Sequence, residues 1–396
     1  MKSSKIVLEK VSINNFLSLH SIELPLKPLT ILVGPNASGK SNVLKALELL
    51  NRMMIADDLP PAEYVNSLLW AGVADTISFH LQAKLGKKSI VYKLGLQSKK
   101  VKSQVSFEEL LIDQVKVISI EKGKGEVRDE NDKNPVSYRS AAKLALKSAG
   151  DYGDKPITIA LTEFIRGWEF YDFDPDVMRK AKNLATIFMG QLVTPRKLAD
   201  VLDRLDDDGS VLRFLLSGWH ANDRKRFDAV DGALRQCSGI GIEQRDANGE
   251  SELYLVEGYK NPIPLERASD GTLRLLAYHV LLNQPEFPSL IAIEEPERNL
   301  HPGVFTDLGS ILKKLSQKTQ VIITTHSSQL LDTFSAQDLS DTLGVLLLRN
   351  QPGSGTEVIN LEEVQKDRDT LRDWMAEFGI GSAIFESQLL QDIVEG

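Results

Sequence analysis

The sequence contains little cysteine and no long apolar run. Its single cysteine, Cys237, excludes a disulfide within the chain and is typical of a protein in the reducing cytoplasm. No apolar stretch approaches the roughly 20 residues that span a bilayer, and the opening MKSSKIVLEK lacks the apolar core of a signal peptide. The net charge of −8 disfavours nonspecific nucleic-acid binding by the whole chain, but not by a local patch. We therefore expect a cytoplasmic protein without a membrane partner.

The remaining composition is that of an ordinary globular protein. Apolar residues make up 42% of the chain and charged residues 26%. A chain of 396 residues is too long for one simple hydrophobic core, so two or three lobes are expected.

A glycine-bounded loop follows the apolar segment from Leu29 to Val33 and precedes an amphipathic pattern. The loop fits G-x-x-x-x-G-K-[ST], whose glycines let backbone N–H groups converge on phosphate oxygens at a helix N-terminus. A lysine in this motif reaches the β- and γ-phosphates of a nucleotide, and the hydroxyl that follows it binds Mg²⁺. A glycine-rich turn without a ligand is the alternative. The motif predicts an ATP site formed by Gly34, Pro35, Asn36, Ala37, Ser38, Gly39, Lys40, Ser41 and Asn42, with Ser41 as a magnesium ligand.

Two adjacent carboxylates follow a second apolar run, in the stretch SLIAIEEPERNLHP. Like charges beside a buried strand are costly unless a cation or a substrate lies between them. In P-loop ATPases such a strand ends in an acidic residue that holds Mg²⁺, followed by one that polarises the attacking water. Glu294 is the predicted metal ligand and Glu295 the predicted catalytic residue. The alternative is a strand end that pairs with the nearby Arg298.

Two weaker signals lie on either side of this strand. Ser269 to Thr272 open a helical pattern in which a hydroxyl and free N–H groups can face an anion, although an ordinary N-cap has the same sequence. The stretch TQVIITTHSSQLLDTF predicts a strand, then His326, then a helix. A lone histidine after a strand is more often structural than catalytic.

The order of these motifs resembles the head of ABC-type ATPases. The chain is similar to the SMC/RecF/OLD class, and most of all to stand-alone OLD-like AAA ATPases that lack a Toprim nuclease domain. The resemblance is carried by NNFLSLHSIEL, GPNASGKSNVLKAL, SDGTLRLLAY, IEEPERNLHP and TTHSSQLLD. It implies an α/β P-loop NTPase fold, in which a mixed sheet with an antiparallel subdomain carries a helical insertion.

The resemblance also implies roles for individual residues. Ser269 and Gly271 match the signature motif, which in this class contacts the γ-phosphate held by the opposite subunit. Asn299 matches a loop that crosses the dimer interface, and His326 matches the switch histidine that senses the γ-phosphate. A homodimer that clasps ATP and Mg²⁺ is therefore implied, with Lys40, Glu295 and His326 as its catalytic residues.

Two departures from the class stand out, at Leu17 and at Glu294. Glu294 occupies a metal position where Asp is commoner, although other members of this subfamily also carry Glu there. Leu17 occupies a position where such families commonly carry Lys or Arg, which puts a basic contact to the nucleotide there in doubt. No segment matches the glutamine loop, for which Gln82, Gln97 and Gln191 are weak candidates.

Composition and resemblance together divide the chain into four segments. Residues 1–125 are predicted to form a first ATPase lobe, and residues 126–250 a mainly helical insertion that begins with a polar surface loop. Residues 251–348 complete the ATPase, and residues 349–396 form a helical tail too short for a nuclease domain. Asp367 and Asp369 in this tail are interpreted as part of a solvated helix face.

Seven lysines and no acidic residue lie in the segment from Lys84 to Lys102. They predict a possible DNA contact, with exposed strand edges kept soluble by lysine as the alternative.

The sequence leaves three functions open. The favoured one is a DNA-associated or antiphage-defence ATPase whose ATP-dependent dimer controls a separate effector, such as a nuclease. The second is the ATPase subunit of a transport or other mechanochemical system, which the long insertion between Ser41 and Ser269 disfavours. The third is a nucleotide-binding scaffold with slow turnover.

Overall fold

The structure is a computed structural model that describes residues 5–72, 74–99, 102–149, 153–180, 203–247, 250–257, 261–339, 341–366 and 368–385. The described residues contain three β-sheets, of eight, six and three strands.

The largest sheet has eight antiparallel strands. In spatial order they are β2 (Leu19–Pro25), β1 (Ile6–Phe16), β4 (Thr76–Leu85), β5 (Lys88–Lys99), β6 (Lys102–Ile112), β7 (Val115–Glu121), β8 (Lys124–Val127) and β9 (Val136–Arg139). The alternation of side chains explains why one face is buried, since Ile77, Phe79 and Leu81 of β4 lie in the core and their neighbours are more exposed.

The second sheet has six strands and carries the functional motifs. In spatial order they are β10 (Trp168–Tyr171), β14 (Leu290–Glu294), β15 (Gln320–Thr325), β3 (Leu29–Val33), β16 (Leu343–Gln351) and β17 (Gly355–Asn360). The first five run parallel, and β17 is an antiparallel edge. Every residue of β3 and β15 is buried, as expected for parallel strands covered on both faces. The carboxyl ends of β3, β14 and β15 therefore meet at one edge.

Thirteen helices lie among the described residues. They are α1 (Lys40–Ile55), α2 (Ala62–Leu68), α3 (Ala145–Ala149), α4 (Pro156–Arg166), α5 (Pro175–Arg179), α6 (Leu212–Asn222), α7 (Arg224–Ser238), α8 (Asp270–Asn283), α9 (Phe305–Ser316), α10 (Ser328–Leu331), α11 (Leu361–Val364), α12 (Asp369–Phe378) and α13 (Ile380–Phe385). A third sheet of β11 (Ile240–Ala247), β12 (Glu250–Glu257) and β13 (Ile263–Pro264) lies between α7 and α8 in the chain.

The hydrophobic core lies on both faces of the six-stranded sheet. Ile31 and Val33 of β3 belong to one cluster of buried residues, and Leu32 belongs to the other. This alternation fixes the phosphate-loop strand between two packed layers, so the loop after Val33 leaves a rigid support.

The α/β fold with an antiparallel subdomain is confirmed. The segment after residue 126, interpreted as a surface loop, instead contributes the end of β8 and all of β9 to the large sheet. Within the segment predicted as an insertion, β10 pairs with β14 of the core sheet. The division of the chain into four domains stays a prediction.

Candidate functional site

The phosphate loop runs from the end of β3 to the start of α1. Gly39 has φ of 104°, and a Cβ at this position would lie 2.2 Å from Oγ1 of Thr356. Only glycine fits both constraints. No side chain caps the first turn of α1, so its N–H groups remain available to an anion.

The ammonium group of Lys40 points back into this loop. Its Nζ donates to the carbonyl oxygens of Gly34 (2.8 Å) and Pro35 (2.9 Å), and only 6% of the residue is exposed. Burial lowers the pKa of Lys40, and the nearby Glu295 and Glu294 oppose that shift. In the same loop the buried Oγ of Ser38 has no hydrogen-bond partner. A buried cation and an unsatisfied hydroxyl together fit a loop built for an anionic ligand.

A polar network holds the loop from the side of the β1–β2 turn. Asn42 Nδ2 donates to Oγ of Ser18 (2.8 Å), which lies 2.7 Å from Oγ1 of Thr356. The Thr356 hydroxyl also donates to the carbonyl of Ser38 (3.1 Å). Asn42 thus lies beside the loop, and its contact with the nucleotide stays a prediction. The sequence predicts no role for Ser18 or Thr356.

The acidic pair lies at the carboxyl end of β14, next to the phosphate loop. Ser41 Oγ donates to Oε1 of Glu294. Glu295 has φ of 44°, and its N–H donates to the main-chain oxygen (3.2 Å) and Oγ1 (3.1 Å) of Thr324. This left-handed turn ends β14 between the two glutamates, and their different roles stay a prediction.

The residues at this corner fit Mg²⁺. A hydroxyl and a carboxylate oxygen are the hard oxygen ligands that Mg²⁺ prefers, and it usually takes one or two protein ligands besides phosphate and water. Ser41 and Glu294 would hold the cation, and their contact already brings the two donors together.

The predicted switch histidine lies beside the predicted catalytic carboxylate. His326 Nδ1 is 3.1 Å from Oε1 of Glu295, and Oγ1 of Thr325 donates to Oε1 of the buried Glu297 (2.5 Å). Burial raises the pKa of Glu297. The N–H of Ser327 donates to the same Thr325 hydroxyl (3.0 Å), so the turns after β14 and β15 are tied together.

The signature residues form a separate cavity of about 420 Å³. Ser269 caps α8, with its Oγ accepting from the N–H of Thr272 (3.2 Å). Asn299 Nδ2 donates to Oδ2 of Asp270 (3.3 Å), and a Cβ on Gly271 would lie 2.6 Å from the main-chain oxygen of Asn299. The structure therefore brings Ser269, Gly271 and Asn299 together. None of the residues from Gly34 to Ser41 lines their cavity.

Leu17 and two of the three candidate glutamines lie within the described residues. Leu17 lies in the β1–β2 turn with φ of 49°, and its N–H donates to the carbonyl of Leu68. Gln82 pairs with Val91 inside the large sheet, and Gln97 donates to Asp75. Gln191 lies outside the described residues.

Sequence reasoning missed a group of acidic residues beside Ser41 and Glu294. Asp172, Asp207 and Asp208 line a cavity of about 210 Å³ together with Ser41 and Glu294. The main-chain N–H of Asp172 donates to the oxygen of Asp207 (3.0 Å), which holds the two segments together. The available signals were Asp172, directly after the aromatic strand WEFY, and the acidic run from Asp206 to Asp208.

Among the described residues, Arg298 forms its ion pair with Asp172 and not with either glutamate of the acidic pair. The ion-paired strand end, considered above as the alternative, therefore does not describe the contacts found here.

Three of the seven lysines in the segment from Lys84 to Lys102 pair with acidic residues. Lys84 pairs with Glu9 (2.6 Å), and Lys88 with Asp113 (2.5 Å). Lys93 likewise pairs with Glu109 (3.1 Å). Lys100 lies outside the described residues. These pairs favour the solubility interpretation, and DNA contact stays a prediction. Separately, none of the helices in the described ranges is both long and apolar enough to cross a bilayer.

Comparison with known proteins finds relatives that match only part of the chain. The chain is 46% identical over 44 residues to an OLD nuclease of Thermus scotoductus, a match that covers 11% of this chain and 8% of that one. It is 27% identical over 116 residues to ABC transporter A family member 10 of Arabidopsis thaliana, covering 29% of this chain and 12% of that one. The chain therefore spans only a small part of either relative.

Two solved structures share the fold over most of the chain. The Smc head bound to the C-winged helix domain of ScpA has a TM-score of 0.53 at 14% identity, and the match covers 91% of this chain and 99% of that one. The Smc head with an extended coiled coil from Pyrococcus furiosus, bound to the C-terminal domain of ScpA, gives 0.51 at 12% identity, with 93% and 100% covered. These likenesses show the fold of an SMC head.

A family model matches residues 29–332, a range that contains the phosphate loop, the signature, the acidic pair and His326. Its description is "AAA domain, putative AbiEii toxin, Type IV TA system". The range covers well over half of the chain, and the SMC-like fold and the OLD match agree with it. The chain therefore belongs to this AAA-domain family and is a P-loop ATPase of the SMC/RecF/OLD-like class.

Proposed function

We propose that this protein is an ATP-hydrolysing switch that works as a homodimer with two ATP molecules between its heads. One observation carries the proposal: the signature residues line a cavity to which the phosphate loop of the same chain contributes nothing. Both elements place helix N-terminal N–H groups where an anion can bind. A second chain related by a two-fold axis would bring each phosphate loop to the other chain's signature, in an isologous interface.

The chemistry at each site follows from the side chains. The Lys40 ammonium would exchange the carbonyls of Gly34 and Pro35 for phosphate oxygens, which are stronger acceptors because they are charged. Magnesium, when bound at Ser41 and Glu294, supplies charge neutralisation to the phosphates. The Glu295 carboxylate would orient the attacking water and take its proton.

His326 would report the state of the nucleotide to this carboxylate. Its ring contacts Glu295, and 55% of the His326 side chain is exposed to solvent, so an incoming phosphate can reach it. A γ-phosphate that draws the ring away would free Glu295 for water. Hydrolysis would then be coupled to closure of the dimer, because the signature completes the site only in the closed state.

We further propose that the dimer controls a separate effector, such as a nuclease, in DNA-associated processes or antiphage defence. The local similarity to an OLD nuclease and the family description support this assignment. An ATPase subunit of a transport system is the second candidate, and the local similarity to an ABC transporter favours it. A protein co-purified from the native host would separate them, since a nuclease supports the first and a membrane-spanning subunit the second.

Trapping the dimer tests the proposal. Glu295→Gln should bind ATP without turning it over, so ATP should shift it from monomer to dimer in light scattering after gel filtration. ADP should not do so. The matched control is Glu295→Gln combined with Lys40→Ala, which should stay monomeric with ATP. A trapped variant that binds ATP and remains monomeric at all protein concentrations would contradict the proposal.

A further inference from the structure

Two arginines hold the loop that opens the signature helix. Arg213 of α6 donates through Nη1 to Oε1 of Glu266 (2.9 Å) and to the main-chain oxygen of Arg179 (3.1 Å). Arg179, at the end of α5, donates through Nη2 (3.0 Å) and Nε (3.3 Å) to the carbonyl of Ala268. The segment between β10 and β11 therefore supports the backbone just before Ser269.

The Arg179 guanidinium also binds the carboxylate inside the signature. Its Nη2 contacts Oδ1 of Asp270, and Nδ2 of Asn299 donates to Oδ2 of the same carboxylate. Both carboxylate oxygens of Asp270 are thus held by donors. The hydroxyl of Ser269 takes no part in these contacts and is left at the cavity.

A carboxylate at this position is a liability for an anion site. Asp270 lies between Ser269 and Gly271, lines the same cavity, and its side chain is 45% exposed. If the Asp270 carboxylate were unpaired, it would repel a triphosphate. It would also offset the partial positive charge at the N-terminus of α8, which otherwise favours an anion. An arginine stays charged at every physiological pH, so it neutralises this carboxylate permanently.

We propose that Arg179 is a positioning residue for ATP hydrolysis, which neutralises Asp270 and turns its carboxylate away from the triphosphate held by the opposite chain. This inference rests on the proposed function. It assigns a role in the signature to a residue about ninety positions earlier in the chain, on an element that contributes nothing to the phosphate loop or to the acidic pair.

The test is a cycle of Arg179→Gln, Asp270→Asn and the double variant, measured by steady-state ATP hydrolysis. With Asp270 present, Arg179→Gln should lower the rate about tenfold, since a like charge a few ångströms from a phosphate is repelled with several RT at the protein surface. With Asn at position 270, the same change should cost less than about twofold, because no charge remains to be neutralised. Raising the salt concentration should shrink the defect of Arg179→Gln alone.

Arg224→Gln is the matched control, because Arg224 forms an exposed helix pair with Asp228. It should hydrolyse ATP at the wild-type rate. Thermal unfolding of each variant checks that it folds.

The same cycle in the Glu295→Gln background, read as ATP-dependent dimerisation, separates the two claims. If Glu295→Gln alone does not dimerise with ATP, the proposed function fails and the inference fails with it. If it dimerises and Arg179→Gln dimerises equally well, only the inference fails. An equal loss in Arg179→Gln and in the double variant would mean that the arginine supports the backbone only, and the neutralising role would be wrong.

Discussion

His326 Nδ1 and Glu295 Oε1 lie 3.1 Å apart, at the carboxyl ends of two neighbouring parallel strands. The contact follows from the sheet topology. Glu294 pairs with Thr324 in parallel strands, so Glu295 after β14 and His326 after β15 lie at the same edge of the sheet. The histidine ring therefore contacts the predicted catalytic carboxylate directly, and its control of that carboxylate stays a prediction.

Replacing this carboxylate should separate binding from chemistry. Glu295→Gln keeps the size of the side chain but cannot accept a proton, so ATP hydrolysis should fall by about 10²–10⁴ while ATP affinity changes little. Phosphate release and fluorescent-nucleotide binding measure the two effects. His326→Ala should reduce hydrolysis less than Glu295→Gln, because it removes the orienting group and leaves the base. Equal hydrolysis rates for wild type and Glu295→Gln would rule out the assignment.

Lys40→Ala should act on binding itself. The substitution removes the buried cation from the loop, so ATP affinity should fall by at least about tenfold, which corresponds to one charge-assisted hydrogen bond. Lys366→Ala is the control, since Lys366 is an exposed partner of Glu362 in the turn after α11 and should not change affinity. Calorimetric titration with ATP and Mg²⁺ checks both. Unchanged affinity in Lys40→Ala would show that the loop does not hold phosphate.

Local motifs made much of this site predictable. Gly39, Lys40 and Ser41 are fixed by a short strand–loop–helix sequence, and Glu294 with Glu295 by the apolar run before them. The conformations of these residues depend mainly on their neighbours in the chain, so a short stretch of sequence is enough to predict them.

The residues that sequence reasoning missed depend on contacts distant in the chain. Asp172 lies beside Ser41 and Glu294 because β10 pairs with β14. The sequence gives little sign of this, since a four-residue strand inside a mostly helical stretch has almost no periodic pattern. Thr356 reaches Gly39 from the far side of the sheet. β9 was interpreted as loop because its four residues follow a run of polar residues typical of turns.

Burial of Glu108 predicts a pH dependence of stability. Burial raises the pKa of Glu108 to about 7, against the hydrogen bonds that it accepts from the N–H groups of Leu146 and Ala145 and from the hydroxyl of Tyr92. The folded protein therefore holds this proton more tightly than the unfolded chain. Its stabilising contribution is fully present below about pH 4.5 and is lost as the pH rises through about 7, by up to about 3 kcal/mol.

Glu108→Gln removes this titration. The free energy of unfolding of wild type relative to the variant should therefore fall between pH 4.5 and 8, as measured by urea unfolding at several pH values. Burial also raises the pKa of Glu169 to about 7, but this group is present in both proteins and cancels in the difference. A difference that stays constant with pH would contradict the assignment.

The lysine segment predicts at most weak DNA binding, because three of its lysines are already paired. Changing Lys87, Lys88, Lys99 and Lys100 to Glu should abolish binding of a short duplex and flatten its salt dependence. Lys225, Lys313, Lys314 and Lys366 changed to Glu provide a control with the same change in net charge elsewhere. Failure of the wild type to bind DNA even in low salt would leave these lysines as solubilising residues.

Mixing two inactive variants tests the two-chain site most directly. Lys40→Ala disables phosphate binding by the loop, and Ser269→Arg blocks the signature, so each homodimer should be inactive. In a mixed dimer both lesions fall on one site, and the other combines an intact loop with an intact signature. The account predicts that hydrolysis reappears on mixing, at about half the wild-type rate per mixed dimer. No recovery on mixing, together with a wild-type rate per chain that does not depend on protein concentration, would contradict it.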